Sequence, residues 1–180
     1  MTNYTDECKR LAEADRTNKM LAAVHEMGHY LVATHIISDI LQVTVECVQL
    51  LPSISGKWYG FTRVKYEPKS YDGLDPDKYN LELCRKKIKI ANAGKSAELA
   101  MLGKTSNSGY ADDEAMANEA ISYIREKAPG FNVDAYVTKS NDELYKSMSK
   151  HLNLIAKLAL SLYHKPHNAV IQYPEEIDQQ

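Results

Sequence analysis

Nothing in the 180-residue sequence offers a disulfide framework. Its three cysteines, Cys8, Cys47 and Cys84, are odd in number, widely spaced and free of any Cys-x-x-Cys pair. Such usage fits the reduced thiols of a cytoplasmic protein. No secretory leader is expected either, because Met1-Thr2-Asn3-Tyr4-Thr5-Asp6-Glu7 is polar and acidic where a signal begins basic and turns apolar. There is no long basic block and the net charge is -2, which argues against a nucleic-acid partner. The most apolar stretch, Met20 to Ile37, is interrupted by His25, Glu26, His29 and His35, so no membrane span is expected. Repeats and low-complexity tracts are absent as well. At 44% hydrophobic residues the chain reads as one soluble domain over 1–180, with a core of about 18–164 and a tail at 165–180. It leaves no room for an additional ATPase module.

What is present is a His-Glu-x-x-His signature, His25-Glu26-Met27-Gly28-His29, inside an apolar run. A helix puts residues four apart on one face, so both imidazoles can reach one metal ion while Glu26 stays close enough to activate water. Thr17-Asn18 is expected to cap that helix, which runs to about Ile37 with Met20, Val24, Met27 and Leu31 as its buried stripe. Leu41 to Leu50 and Gly60 to Tyr66 read as strands joined by an irregular loop from Leu51 to Tyr59. Pro68 to Lys78 reads as a surface loop. Three further helices are expected: Tyr79 to about Leu102, loosened at Gly94 and stopped by Gly103; one ending near Lys127; and Asn141 to about His164. The expected fold is α+β and mainly α-helical, with a small antiparallel β-hairpin and a bundle of about four helices.

A catalytic zinc site needs a third protein ligand. In the helix ending near Lys127, Met116, Ala117, Ala120, Ile121 and Ile124 form the apolar stripe, and Asp113 falls near its centre while Asp112 and Glu114 point away. Two readings of Asp113 stand: a ligand turned inward, or a first-turn carboxylate bound to free backbone amides. Glu98 shares a face with Cys84, Ile88, Ala91 and Leu102, although Lys95 lies there too. It is either a carboxylate that orients a ligand histidine or an ordinary anchoring acid. His35, His151, His164 and His167 read as surface or packing histidines, and Trp58 and Tyr59 as packing or loop residues.

Four ordered segments, spanning roughly Asn18 to His164, resemble the peptidase domain of FtsH-type ATP-dependent zinc metalloproteases. Ala22-Ala23-Val24-His25-Glu26-Met27-Gly28-His29 is similar to the family's His-Glu-Ala-Gly-His helix, and Gly60-Phe61-Thr62 to its Gly-Tyr-Thr strand. Ala93-Gly94-Lys95-Ser96-Ala97-Glu98-Leu99 resembles its Gly-Gly-Arg-x-Ala-Glu-Glu helix. Ser108-Gly109-Tyr110-Ala111-Asp112-Asp113 resembles its Thr-Gly-Ala-x-Asn-Asp segment, whose last residue is the third zinc ligand. The resemblance implies a zincin-like active-site helix, Zn2+ on His25, His29 and Asp113, Glu26 as general base and Glu98 as a supporting acid. As an edge strand, Gly60 to Tyr66, with Gly60, Phe61 and Thr62 leading it, is expected either to hold an extended polypeptide substrate by main-chain hydrogen bonds or to be simply a sheet edge. The family's membrane anchor and ATPase module have no counterpart in the sequence, so a stand-alone metalloendopeptidase acting on unfolded or flexible polypeptides is expected. Its expected partners are further copies of itself or a separate ATPase. The rival expectation is a non-catalytic zinc-binding domain that docks on a full-length protease.

Overall fold

In a computed structural model, which describes residues 3–105 and 110–166, the stripe Met20, Val24, Met27 and Leu31 is buried along helix α2 (Lys19–His35). His25 and His29 lie beside the stripe and are buried as well, so α2 is covered on two faces. Full burial of side chains of this size contributes roughly 1.5–3 kcal/mol each. The start of α2 differs from expectation. Asn18 sits in the left-handed region at φ 63 and its side chain caps nothing. Asp15 does that work instead, accepting hydrogen bonds from the Thr17 and Met20 amides at 2.8 and 2.9 Å.

The hairpin joins β1 (Leu41–Pro52) to β2 (Trp58–Pro68), both longer than expected, so the link shrinks to residues 53–57. Glu46 is a bulge between the paired positions Val45 and Cys47. Along β2, Trp58, Gly60, Thr62, Val64 and Tyr66 are half-buried, while Tyr59, Phe61, Arg63 and Lys65 are exposed. A backbone bond from the Trp58 amide to the Thr17 carbonyl, 2.9 Å, ties the strand to the entry of α2.

Helix α3 (Pro76–Leu102) carries a full set of boundary signals. The Asp75 side chain accepts from the Asp77 and Lys78 amides, Pro76 occupies the first turn and Gly103 ends the helix at φ 67. The chain does not loosen at Gly94; the helix runs straight through. Helix α4 (Ala111–Lys127) follows, with Ala117, Ala120 and Ile124 buried as its stripe requires.

The single last helix expected from Asn141 is two helices, α5 (Val133–Lys150) and α6 (Leu152–His164), broken at His151. The His151 amide bonds the Met148 carbonyl three residues back, a tightened last turn that ends α5. A further helix at the start, α1 (Tyr4–Ala14), buries only Cys8, whose thiol burial pushes up to about 12. The described residues therefore hold an α+β fold of six helices and one antiparallel hairpin. None of the helices is long and apolar enough to cross a membrane. Ser108, Gly109 and the tail from His167 onward lie outside the described residues.

Two apolar clusters meet along α3. One joins Ile90, Ala93, Ala97 and Met101 to α2, β1, α1 and α6; the other packs Ile88 against Ala120, Ile124 and Val133. The groups described next lie beside this junction, where α2 and α4 both reach α3.

Candidate metal centre

Three donor atoms converge between α2 and α4. His25 Nε2 lies 2.9 Å from His29 Nε2 and 2.9 Å from Asp113 Oδ2, and His29 Nε2 lies 3.2 Å from the same carboxylate oxygen. The remaining ring nitrogens explain why these three atoms point at one another. His29 Nδ1–H donates to the Ile90 carbonyl of α3 at 2.7 Å, an oxygen that can only accept. His25 Nδ1–H donates to Glu98 Oε1 at 2.8 Å, and the Tyr110 hydroxyl donates to Glu98 Oε2 at 2.5 Å. With both Nδ1 atoms anchored on acceptors, both Nε2 atoms are turned to the shared point, where His25 Nε2 presents a lone pair once its proton is displaced, the arrangement that ligand histidines adopt.

Three acceptors at this spacing repel unless positive charge lies among them. Burial lowers the His25 pKa, yet the carboxylates of Asp113 and Glu98 outweigh it and hold the imidazole up at about 10. Burial likewise raises the Asp113 carboxyl, but hydrogen bonds and charge from His25 and His29 hold it well below the usual carboxylate range. The cluster thus favours positive charge at its centre. The separations of 2.9, 2.9 and 3.2 Å also approach the ~3.3 Å edge of a tetrahedron with bonds of about 2.0 Å. Two imidazoles and one carboxylate suit zinc and other borderline divalent ions such as iron(II). His25, His29 and Asp113 are therefore a buried group able to hold a metal ion.

Glu26 projects to the strand side of α2. It is 5% exposed, and Thr62 Oγ1 donates to its Oε2 at 2.5 Å. Thr62, expected to meet substrate, thus spends its hydroxyl on Glu26. Gly60 lies directly above the carboxylate: a Cβ there would fall 2.0 Å from Glu26 Cγ. Phe61, between them, faces outward and is 41% exposed. Gly94 has a matching role on α3. A glycine inside a helix costs about 0.5–1 kcal/mol relative to alanine, and here a Cβ would come within 2.4 Å of the His25 ring.

Asp113 follows the inward reading: it stands in the first turn of α4, but its carboxylate meets the two histidines, and no backbone amide among the described residues donates to it. Asp112 and Glu114 are exposed. Lys95, which shared the stripe of Glu98 on paper, is exposed and pairs with Glu114 at 3.5 Å. His35 and His151 stay apart from the group, their Nδ1 atoms on backbone carbonyls of their own helical segments. Two contributions were not legible in the sequence. The Ile90 carbonyl has no side-chain signal at all, whereas Tyr110 has one: it immediately precedes the helix that carries Asp113.

Two cavities flank the centre and share His25, Glu26 and Gly60 in their walls. One, of about 210 Å3, extends past Trp58, Tyr59 and Tyr110. The other, of about 350 Å3, extends past Phe61, Val64, Tyr66 and Met116. Both border Glu26 and the β2 strand. No protein-family model and no curated protein matches the chain. The centre is defined by its donors alone.

Proposed function

We propose that the protein is a zinc-dependent metalloendopeptidase similar to the peptidase domain of FtsH-type proteases, with Zn2+ on His25, His29 and Asp113. The observation that carries the proposal is the triangle of three lone-pair donors with the Glu26 carboxylate on the adjoining turn, all lining one cleft. Bound there, zinc supplies Lewis acidity, lowering the pKa of water towards ~7 and polarising a scissile carbonyl. Glu26 takes the proton of the attacking water and returns it to the leaving amine as the carbon–nitrogen bond breaks. Thr62 and Gly60 hold that carboxylate in one place, which keeps the base within reach of the reacting atoms. Glu98 and the Ile90 carbonyl keep both imidazoles in the ligating tautomer.

Substrate is an extended polypeptide. β2 pairs with β1 along one edge only, and the described residues contain no third strand, so main-chain groups of β2 are available to a strand laid in the cleft. Two cavities that both border Glu26 suit cleavage within a chain, and an unfolded or flexible segment meets the need for extension.

The test compares wild type with Glu26→Gln on casein, with zinc measured in both. Equal zinc and a loss of cleavage of about 100- to 10,000-fold is expected, the range for removal of a general base. One zinc per chain with no cleavage of any unfolded substrate would overturn the proposal in favour of a metal-stabilised interaction domain.

A further inference from the structure

We infer that Tyr110 is a positioning residue of the metal centre, acting on His25 through Glu98; this rests on the reading of His25, His29 and Asp113 as metal ligands. Glu98 is 1% exposed, so its carboxylate has no bulk water to satisfy it and depends on protein donors. Among the described residues, His25 Nδ1 donates to Oε1 at 2.8 Å and the Tyr110 hydroxyl to Oε2 at 2.5 Å. Charge-assisted bonds of this kind are short and about twice as strong as neutral ones. The phenol therefore fixes the rotation of the carboxylate, and the carboxylate fixes the rotation of the imidazole.

The same side chain reaches His25 a second way. The two rings lie 5.2 Å apart between centroids at 38°. Tyr110 is itself held: it is 9% exposed, its carbonyl accepts the Glu114 amide at 2.8 Å, and Lys95 Nζ lies 4.9 Å from its ring centre. It also stands at the N-cap of α4, three residues before Asp113. One residue thus couples the support of one ligand, on α3, to the helix that delivers another.

The experiment uses the full chain with Tyr110→Phe, Glu98→Gln and both together. Zinc affinity is read by competition with a chromophoric chelator, and ligand geometry by the visible absorption of the cobalt(II)-loaded protein. Glu98→Gln should lower zinc affinity roughly 10- to 100-fold. Tyr110→Phe, which keeps the ring, should lower it roughly 5-fold and shift the cobalt spectrum. The double variant should bind no more weakly than Glu98→Gln alone, because the hydroxyl acts only through that carboxylate. A purely structural role would instead lower the melting temperature of the metal-free protein and leave affinity and spectrum unchanged. That result, or full additivity in the double variant, overturns the inference while leaving the metal centre standing. A wild type that takes up neither metal overturns both.

Discussion

The middle and the C-terminus of α2 both carry histidine and border a cavity, yet only the middle gathers converging donors. Towards its middle, the His29 Nδ1 atom is anchored to a carbonyl of a different helix, Ile90 of α3, and its Nε2 faces two further donors. At its C-terminus, the His35 Nδ1 atom bonds the Leu31 carbonyl of its own helix at 2.9 Å. The cavity beside His35, about 310 Å3, is walled by Leu31, Val32, Ile36, Leu144 and Met148. Its charges are paired off, as Lys89 is with Glu143 at 3.6 Å, and nothing converges there. A histidine becomes a ligand when another element fixes its distal nitrogen and further donors share its target. Residue type and helix alone do not decide it.

The strongest way to break this contrast is to remove one histidine from each place. His29→Ala should weaken zinc binding on the order of 1,000-fold, since an apparent ~10–16 kcal/mol is shared by a handful of ligands. His35→Ala should leave it unchanged. Equilibrium dialysis with zinc checks both, and equal effects would erase the distinction.

Packing gives a second pair. Gly94→Ala forces a methyl group into the His25 ring and should cost about 10- to 100-fold in zinc affinity, equivalent to the ~1–3 kcal/mol of overpacking. Ser140→Ala, on the other cavity, removes a buried hydroxyl that has no hydrogen-bond partner among the described residues. It should leave affinity alone and raise stability by about 1 kcal/mol, measured by urea unfolding.

The smallest effect concerns protons. In the metal-free fold the His25 pKa is raised from 6.5 to about 10, so its stabilising charge is fully present below pH 6.5 and is lost as pH rises through 10. Metal must displace that proton. Between pH 7 and 8.5 zinc affinity should therefore rise up to about tenfold per pH unit, with about one proton released per ion bound. Calorimetry in buffers of different ionisation enthalpy measures the release. A binding heat independent of buffer would mean that His25 is already neutral.

How much of this was legible depended on whether a signal was carried by side-chain pattern. The His25-Glu26-x-x-His29 spacing, the stripe that turned Asp113 inward and the face shared by Glu98 all follow from helical period, and the structure brings these residues together. The hairpin followed from its alternation and turn residues. Helix α1 escaped because its stripe of Tyr4, Cys8, Leu11 and Ala12 is short and set among charged residues, and only Cys8 in it is fully buried. The break at His151 escaped because the residues on either side continue an unbroken helical pattern. Gly94 looked like a weakness in a helix; it is a clearance whose reason sits 69 positions earlier, at His25, and no local rule can see that far.

The alternation of β2 has an evolutionary consequence. Gly60 and Thr62 face Glu26 and cannot change without moving its carboxylate. Tyr59 and Phe61, 49% and 41% exposed, form with Arg63 the lip of the cleft and touch none of the ligands. A single strand therefore separates what must be conserved from what is free to drift. In the proposed peptidase, selection can rewrite which sequences are preferred by editing every second residue and leave the proposed reaction chemistry untouched.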